Sequence, residues 1–334
     1  MRFQITRRAL LAAATATLAV SGSAALAQDQ VTLRLSAVNS ETDQRAVAMT
    51  EVFGPAVAEF ASFEPHWNAT LVAQGSELEA IASGDLEMSI TSAQELATFF
   101  PEWSIFAAGY VLKDADHQIA VFNDPLMEPF RQRVEDELGV RLLAPMYLGR
   151  RHVNLRQTQD QLNVQVPDDL SGVNLRMPGT DAWQFLGRAL GANPTPMAFS
   201  EVYMGLQTGA IDGQENPLPT VVDSKFYEVT NQIVLTSHLV DWNFIAISAE
   251  LFDGLPAEQQ EAITAAAEAA ADSGRSAQLA MEEEAVATLE GQGLVIYEPD
   301  LAAFRETVQA AYLASDLSAA WPDGVLDAVN ALAD

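Results

Sequence analysis

The chain of 334 residues contains no cysteine, so disulfide bonds, cysteine nucleophiles, thiolate metal sites and iron–sulfur clusters are all excluded. Its four histidines lie far apart and form no HExxH-like pair, which argues against a zinc enzyme. The sequence also lacks a nucleophile elbow and a glycine-rich phosphate loop. We therefore expect a chain that is not an enzyme, with no catalytic residues, no metal ion and no cofactor.

Basic residues are scarce: 17 lysines and arginines stand against 46 aspartates and glutamates, for a formal net charge of −29. Such a surface repels nucleic acid and anionic lipid, so neither is expected as a partner. It also repels small anions at long range. An anion-binding site in this chain must therefore contain cations of its own, which makes each well-placed arginine informative.

Beyond the N-terminal segment the sequence lacks a long apolar run, so no stable membrane insertion is expected. Residues 1–27 begin with Arg2, Arg7 and Arg8, continue in a short apolar stretch and end in Ala25-Leu26-Ala27. That order is typical of a cleavable signal peptide. We expect export by the Sec route, although "TRRALL" leaves the twin-arginine route open.

The rest of the sequence alternates between strand-like and helix-like segments, which predicts an α/β fold with parallel sheets. Its length favours two domains over one. Because no Gly/Ser-rich linker is present, the domains would be joined by crossing strands. The predicted strands include 31–39, a segment from Thr70, 140–149 and 172–178, and the predicted helices include 42–61, 117–138 and 181–191.

One alanine-rich segment, about 257–290, also carries apolar residues at intervals. Pro256 before it and the glycines Gly291 and Gly293 after it predict a helix of roughly 34 residues, or about 50 Å at 1.5 Å per residue. Such a helix exceeds the diameter of one small domain. We therefore expect it to run along both domains.

Several residues between 147 and 242 are candidates for a ligand site. Arg176 closes an apolar strand, where ligands gather in open α/β sheets, and its fork matches a carboxylate; a surface or interdomain salt bridge is the alternative. Asn216 precedes Pro217, which favours an extended backbone, and it presents a neutral amide. Phe199, Trp183 and Trp242 are candidates either for pocket walls or for the core.

The stretch "AIDGQENP" leaves two questions open. Asp212-Gly213 is interpreted either as a type I′ turn or as a place where Gly213 permits close approach of the backbone. Asp212 and Glu215 are spaced as a general acid–base pair could be, but nothing nearby in sequence would separate their pKa values. We therefore interpret both carboxylates as loop and helix-boundary residues.

The stretch "GVNLRMP … ALGANPTPMAFSEVYMGLQTGAIDGQENPLPTV … KFYEVTNQIVLTSH" closely resembles the solute-binding proteins of tripartite ATP-independent periplasmic (TRAP) transporters. "SGDLEMSITS", "FPEWSIFAAGYVLKD" and "ELFDGLPAEQQEAI" extend the resemblance over essentially the whole mature chain. The resemblance implies a two-domain periplasmic binding protein fold with a hinge and a long helix spanning both domains. Residues 28–149 plus 242–281 would form domain I, and 150–241 plus 282–334 domain II, with the ligand cleft between them.

The resemblance also implies a function. It identifies a periplasmic receptor that binds a small organic carboxylate and delivers it to the membrane subunits of a TRAP permease. Sugar acids, dicarboxylates and 2-oxo acids all stay open as ligands. The alternative is a sensory module that presents a carboxylate to a receptor kinase.

The family's motifs imply roles for individual residues. Arg176 makes the main bidentate contact with the ligand carboxylate, Phe199 packs beside the ligand, and Asn216 reaches a ligand oxygen. A "Y-x-G-x-R" pattern places Arg151 in the site as a second arginine, with Arg156 as the alternative.

Two further positions come from the first domain. Asn39, in "AVNSETDQ", is the expected contact of the opening pocket segment. Ser92 occupies the position where the sialic-acid-binding branch has a glutamate, so the resemblance does not extend to sialic acid as the ligand.

Overall fold

A computed structural model describes residues 30–333, so the predicted signal peptide (residues 1–27) lies outside the described residues. From Val31 onward the chain forms one compact unit built on a single sheet. Within residues 30–333 the sheet has nine strands: β1 (Val31–Ser36), β2 (Ala61–His66), β3 (Met88–Ser92), β4 (Val140–Leu155), β5 (Asn174–Met177), β6 (Asn193–Pro196), β7 (Gly213–Pro217), β8 (Gln232–Ser248) and β9 (Val295–Tyr297).

The strand order is β2-β1-β3-β8-β4-β7-β5-β6, and β9 pairs with β8. The sheet is mixed. The pairs β1–β2, β1–β3, β5–β6, β5–β7 and β8–β9 are parallel, whereas β3–β8, β4–β7 and β4–β8 are antiparallel. The predicted α/β fold is confirmed, and the expectation of purely parallel sheets was too narrow because two long strands run against their neighbours.

Those two strands, β4 and β8, hold the halves of the sheet together. They pair from Val140↔Ser248 to Leu155↔Gln232. Strand β3 pairs with the C-terminal end of β8, while β7 pairs with the C-terminal end of β4. Each long strand therefore contributes to both halves, so the chain passes between them through hydrogen-bonded strands.

The main chain of β4 is locally unusual at Gly149. Its φ is +126°, a conformation that disfavours residues with a Cβ. A Cβ built there would lie 2.6 Å from Oε1 of Glu282 and 2.8 Å from Cβ of Pro217. The pairing register with β8 shifts on either side of this glycine. Glycine thus lets β4 bend where the two halves of the sheet meet.

Helices connect the strands. Within residues 30–333 they are α1 (Gln44–Ala48), α2 (Gly54–Val57), α3 (Glu77–Ala82), α4 (Ala93–Phe99), α5 (Ala115–Asn123), α6 (Glu128–Leu138), α7 (Asp181–Ala189), α8 (Val202–Thr208), α9 (Leu218–Asp223), α10 (Ala249–Asp253), α11 (Ala257–Gly291), α12 (Leu301–Leu313) and α13 (Val325–Ala331). None of the helices in this part of the chain is long and apolar enough to cross a membrane.

Helix α11 is the long helix predicted from the sequence. Its 35 residues span about 52 Å at 1.5 Å per residue. Near its start Ile263 and Ala267 pack in one hydrophobic cluster with β1 and β3, and near its end Ala285 and Leu289 pack in another with α8 and β8. The helix therefore contributes to the cores of both halves.

Other element boundaries differ from the prediction. The predicted helix 42–61 ends at Val57, after α1, a π-helical segment and α2. The strand predicted from Thr70 is wrong: the strand lies earlier, at β2, where Pro65 weakened the sequence signal. Proline is tolerated because β2 is an edge strand that pairs with β1 alone. The predicted helix 117–138 is split because Asp124, which precedes Pro125, adopts an extended backbone.

A buried carboxyl group in α3 gives the fold a testable pH dependence. Glu77 is 4% exposed, and burial, with Glu95 nearby, raises its pKa to about 8. The unfolded chain releases this proton near pH 4.5, so the folded state holds more protons between about pH 4.5 and 8. Over that window the free energy of unfolding decreases as the pH rises.

Glu77→Gln should therefore raise the melting temperature at pH 8 by roughly 8 °C, and by no more than about 2 °C at pH 5. The amide oxygen can still accept the hydrogen bond that Gly75 N donates to Glu77 Oε2 at 2.6 Å. Melting curves at the two pH values measure the difference, with the exposed Glu79→Gln of the same helix as the control. An equal rise in melting temperature at both pH values would contradict a raised pKa of Glu77 in the folded state.

Candidate functional site

A cleft of about 560 Å³, its open mouth included, lies between the two halves of the sheet. One wall comes from the loop after β1 and from the junction of β3 with α4. The other wall comes from β4, β5, β7 and the turn that precedes α8. Seven of the eight predicted site residues line it: Asn39, Ser92, Arg151, Arg176, Trp183, Phe199 and Asn216.

Arg176 is a buried cation without a full set of partners. It lies in β5, is 1% exposed, and donates from Nε to the carbonyl oxygen of Met197 at 2.9 Å. Its Nη2 is buried and has no hydrogen-bond partner among residues 30–333. Burial lowers the pKa of Arg176 to about 9; Glu215 opposes this effect and the nearby Arg151 reinforces it. A buried guanidinium in this position is stabilised by an anion that enters the cleft.

Arg151, on β4, is by contrast already paired. Its Nε and Nη2 donate to the two carboxylate oxygens of Glu215 at 2.5 and 2.7 Å, and Nη1 donates to Oδ2 of Asp241 at 2.8 Å. Nη2 also donates to the backbone oxygen of Glu215 at 2.7 Å. Four of its five N–H groups are thus used. Arg151 therefore offers a ligand one N–H rather than a free fork.

Glu215 is the centre of this buried network, which corrects the interpretation of its carboxylate as a loop residue. It lies in β7, is fully buried, and its Oε2 accepts a hydrogen bond from Nε2 of His238 at 3.0 Å. Burial alone raises the pKa of Glu215, but Arg151 and the hydrogen bond with His238 outweigh it, so the pKa is lowered overall. Glu215 is therefore the carboxylate that holds Arg151 in the cleft wall.

Two amide side chains face the ligand space. Asn39 is 2% exposed, and its Oδ1 is buried without a hydrogen-bond partner in the described part of the chain. Asn216 donates from Nδ2 to Oε1 of Gln214 at 2.5 Å, and Gln214 in turn donates to Oδ1 of Asn154 at 3.1 Å. This chain orients the Asn216 amide so that its oxygen is left for a ligand hydroxyl.

Aromatic rings pack against the two guanidinium groups. The Phe199 ring centroid is 5.7 Å from Cζ of Arg176, and the Trp183 ring centroid is 4.6 Å from Cζ of Arg151. Cation–π contacts of this kind favour the charged form and fix the plane of the guanidinium. Phe199 and Trp183 thus form the apolar walls that the sequence suggested.

The structure places Trp242, the eighth predicted residue, outside the cleft. It is fully buried in an aromatic cluster, 4.8 Å from Phe244 and 5.9 Å from Phe106 between ring centroids. Side chains alternate along a strand. Asp241 and Asn243 in β8 therefore line the cleft while Trp242 points into the core.

The other arginines of the segment lie elsewhere. Arg150 donates from Nη2 to the carbonyl oxygen of Lys113 at 2.9 Å. Arg156 lies beside Gly209, where a Cβ would come within 3.0 Å of its Nη1. Arg151 is the one of the three that lines the cleft.

Two glycines around the "AIDGQENP" stretch have different structural roles. Gly209 ends α8 with φ +78°, as a left-handed C-cap. Gly213 does not form a turn: it begins β7, and a Cβ there would lie 2.6 Å from Cδ2 of Leu155 and 2.7 Å from the carbonyl oxygen of Asn154. The close-approach alternative is therefore the correct one.

Sequence reasoning did not identify several polar residues of the cleft. Ser92 is the N-cap of α4 in a capping box with Glu95, so the motif carried a signal for Glu95 as well. Asp241 and Asn243 could have been found from the polar–apolar alternation around Trp242. The other unpredicted polar lining residues are Arg45, Gln74 and Thr220.

Hydrogen bonds cross the mouth of the cleft. Asp223, at the end of α9, accepts from Oγ of Ser40 at 2.6 Å and also from the Thr42 hydroxyl. Oε1 of Gln74 accepts from the backbone N–H of Phe199 at 2.8 Å. These contacts join segments on opposite sides of the ligand space, which is the closed arrangement of a clamp.

The cleft is built for binding. An unpaired guanidinium can hold a carboxylate, and the amide and carboxylate oxygens around it can accept hydrogen bonds from hydroxyl groups. Within residues 30–333, no group of three or more His, Asp or Glu side chains could hold a metal ion.

Residues 46–316 match the family model described as bacterial extracellular solute-binding protein, family 7. The chain belongs to this family. Among curated proteins, it is 31% identical over 245 residues to the sialic acid-binding periplasmic protein SiaP of Vibrio cholerae, covering 73% of this chain and 75% of that one.

Two solved structures from Roseobacter denitrificans are similar to the whole described chain. One TRAP periplasmic solute-binding protein, with bound 3-deoxy-D-manno-oct-2-ulosonic acid (KDO), is 68% identical with a TM-score of 0.90, covering 91% of this chain and 100% of that one. Another, with bound L-galactonate, is 28% identical with a TM-score of 0.81, covering 91% and 99%. The predicted TRAP solute-binding family and its two-domain α/β fold are confirmed.

Proposed function

We propose that this chain is the periplasmic receptor for a sugar acid of the 2-ulosonate type, such as KDO, and that it delivers this ligand to a TRAP permease. The observation that carries the proposal is the buried Nη2 of Arg176, a cleft residue, which has no hydrogen-bond partner in the part of the chain that the structure describes. A ligand carboxylate provides the missing acceptor and the missing counter-charge. The remaining polar lining suits a hydroxylated ligand body.

The comparison with the KDO-bound protein supports this choice of ligand. That protein is 68% identical to this chain. The relatives are substrate-binding proteins, and we propose that this chain likewise releases its ligand chemically unchanged. Recovery of a modified ligand after long incubation would contradict this part of the proposal.

The domain boundaries complete the proposal. We assign residues 28–149 plus 242–281 to domain I and 150–241 plus 282–334 to domain II. In support, the pairing of Gly149 with Asp241 is where β4 and β8 would cross from one domain to the other. Asn39 and Ser92 would then belong to domain I, and closure would bring them against a carboxylate held by domain II.

The role of a periplasmic receptor also requires export and a membrane partner. We propose that residues 1–27 direct export to the periplasm and are removed there. The permease membrane subunits would then recognise the closed, ligand-bound receptor.

A thermal-shift screen tests the ligand proposal. KDO at 100 times its Kd should stabilise the folded protein by about 2.7 kcal/mol. For a chain of this size that corresponds to a rise in melting temperature of roughly 5 °C. The panel should also contain L-galactonate, D-glucuronate, succinate and 2-oxoglutarate. A panel in which the dicarboxylates stabilise the protein and no sugar acid does would overturn the proposal.

The cross-cleft contacts give a kinetic prediction. Asp223→Ala removes the acceptor of the Ser40 and Thr42 hydroxyls, so the closed form should open more readily. We expect the dissociation rate of KDO to increase about tenfold, with an association rate within about twofold of wild type. Stopped-flow tryptophan fluorescence measures both rates, and the exposed Asp323→Ala is the matched control. An unchanged dissociation rate would show that these contacts do not hold the cleft closed.

A further inference from the structure

The cleft is lined by charged groups of both signs. Burial lowers the pKa of Arg176, and the nearby charge of Arg151 lowers it further, so the two guanidinium groups lie close together. Glu95 lines the cleft near Asp241: burial raises the pKa of Glu95, and the charge of Asp241 adds to that effect. Negative charge near Glu95 is therefore already unfavourable before a ligand enters.

Glu95 directs one carboxylate oxygen at the protein and leaves the other for the cleft. Its Oε2 accepts hydrogen bonds from Oγ1 of Thr91 at 3.0 Å and from the backbone N–H of Ser92 at 2.9 Å. Its Oε1 accepts from no group in the described residues. The buried Oδ1 of Asn39, on the same wall, has no donor within residues 30–333. Both oxygens can accept hydrogen bonds from ligand groups that carry protons, namely hydroxyls.

The cations of the cleft leave little positive charge for a second anionic group. Arg45 lines the cleft, but its Nε and Nη2 donate to the carboxylate of Asp43 at 2.8 Å. Arg151 is paired with Glu215 and Asp241. In and around the cleft, three arginines thus face a larger number of carboxyl groups, namely Asp43, Glu95, Glu215 and Asp241. One ligand carboxylate at Arg176 uses the only guanidinium among these three that has no acidic partner.

We infer that Glu95 determines specificity: it accepts a hydrogen bond from a ligand hydroxyl and excludes a second anionic group. The site then takes polyhydroxylated monocarboxylates and rejects dicarboxylates and sugar phosphates. A carboxylate or phosphate beside Glu95 has no proton to donate to Oε1 and is repelled by the Glu95 carboxylate. This inference rests on the proposed function and narrows its ligand class.

The test compares three proteins by isothermal titration calorimetry at pH 7.5: wild type, Glu95→Gln, and the exposed Glu290→Gln as a charge-matched control. The ligands are KDO and galactarate, a polyhydroxylated dicarboxylate. The effect of each substitution is measured for each ligand separately, so the difference in size between KDO and galactarate cancels in those comparisons; wild type is also compared between the two ligands. Melting curves without ligand establish that each variant is folded.

We expect wild type to bind galactarate at least about 100-fold more weakly than KDO. Glu95→Gln should weaken KDO binding about tenfold or more, while galactarate binding improves; galactarate binding that does not improve would contradict the exclusion. Glu95→Asp, which keeps the charge but shortens the reach, should weaken KDO binding and still exclude galactarate. Glu290→Gln should match wild type.

Three results would overturn the inference and leave the proposed function intact. Equal weakening of both ligands in Glu95→Gln would assign Glu95 a structural role, and an unchanged KDO affinity in that variant would leave it no role. Wild-type binding of galactarate within about threefold of KDO would remove the exclusion. A fourth result, no binding of any sugar acid by wild type, would contradict both the inference and the proposed function.

Discussion

Arg176→Met should abolish binding of KDO while leaving the unliganded protein as stable as wild type or more stable. The guanidinium of Arg176 is 1% exposed and its Nη2 lacks a partner in the described residues, so its charge costs free energy in the empty cleft. The unbranched methionine side chain fills similar space without that cost. Loss of two charge-assisted hydrogen bonds, at about 1.5–3 kcal/mol each, corresponds to a loss of affinity of roughly 10²–10⁴-fold.

Arg176→Lys is the matched variant because it keeps the charge and loses the fork. Nε of Arg176 is held by the carbonyl oxygen of Met197, so the two Nη groups remain to meet both carboxylate oxygens. A lysine ammonium group cannot reproduce that geometry. Calorimetry should therefore show weak or no binding for Arg176→Lys as well. Near-normal affinity in either variant would remove Arg176 from the site.

Glu215→Gln should destabilise the protein by about 3 kcal/mol, or roughly 6 °C in melting temperature. The substitution is nearly isosteric but removes the charge that neutralises Arg151 and contacts His238. Arg151 then stays buried with Asp241 as its single acidic partner. Because the network is buried, the effect should persist in 1 M salt, where surface ion pairs are screened.

The control for Glu215→Gln is Glu284→Gln, an exposed position in α11 where the same change should have almost no effect. Chemical denaturation of both variants at low and high salt measures the difference. A loss below about 1 kcal/mol for Glu215→Gln, or a loss that disappears in 1 M salt, would show that the ion pair is not the stabilising centre described above.

Much of the fold could be predicted because its signals are local. Helix α11 has a proline before it, glycines after it and apolar residues at regular intervals. Arg176 could be identified because a short apolar strand ends beside it and Pro178 follows. Phe199, Asn216 and Arg151 lie in motifs that the family resemblance covers, and all of them line the cleft.

The missed features depend on distant parts of the chain. Glu215 lies in β7, whose five buried residues "GQENP" carry no hydrophobic pattern, so the sequence suggests a loop. Its burial is stabilised by Arg151, 64 residues earlier in the chain, and a pairing over that distance leaves no periodic signal. The signal for Trp242, in contrast, was local. Side chains alternate along a strand, so polar Asp241 and Asn243 on either side of it indicate that the Trp242 side chain points to the other face of the sheet, away from the cleft.

A crystal structure of the wild-type protein with KDO would show directly which side chain holds the ligand carboxylate. We expect the KDO carboxylate within about 3 Å of Nη2 of Arg176, with Phe199 against the ligand and a hydroxyl group donating to Oε1 of Glu95. A KDO carboxylate bound away from Arg176, with Nη2 still unpartnered, would contradict this expectation.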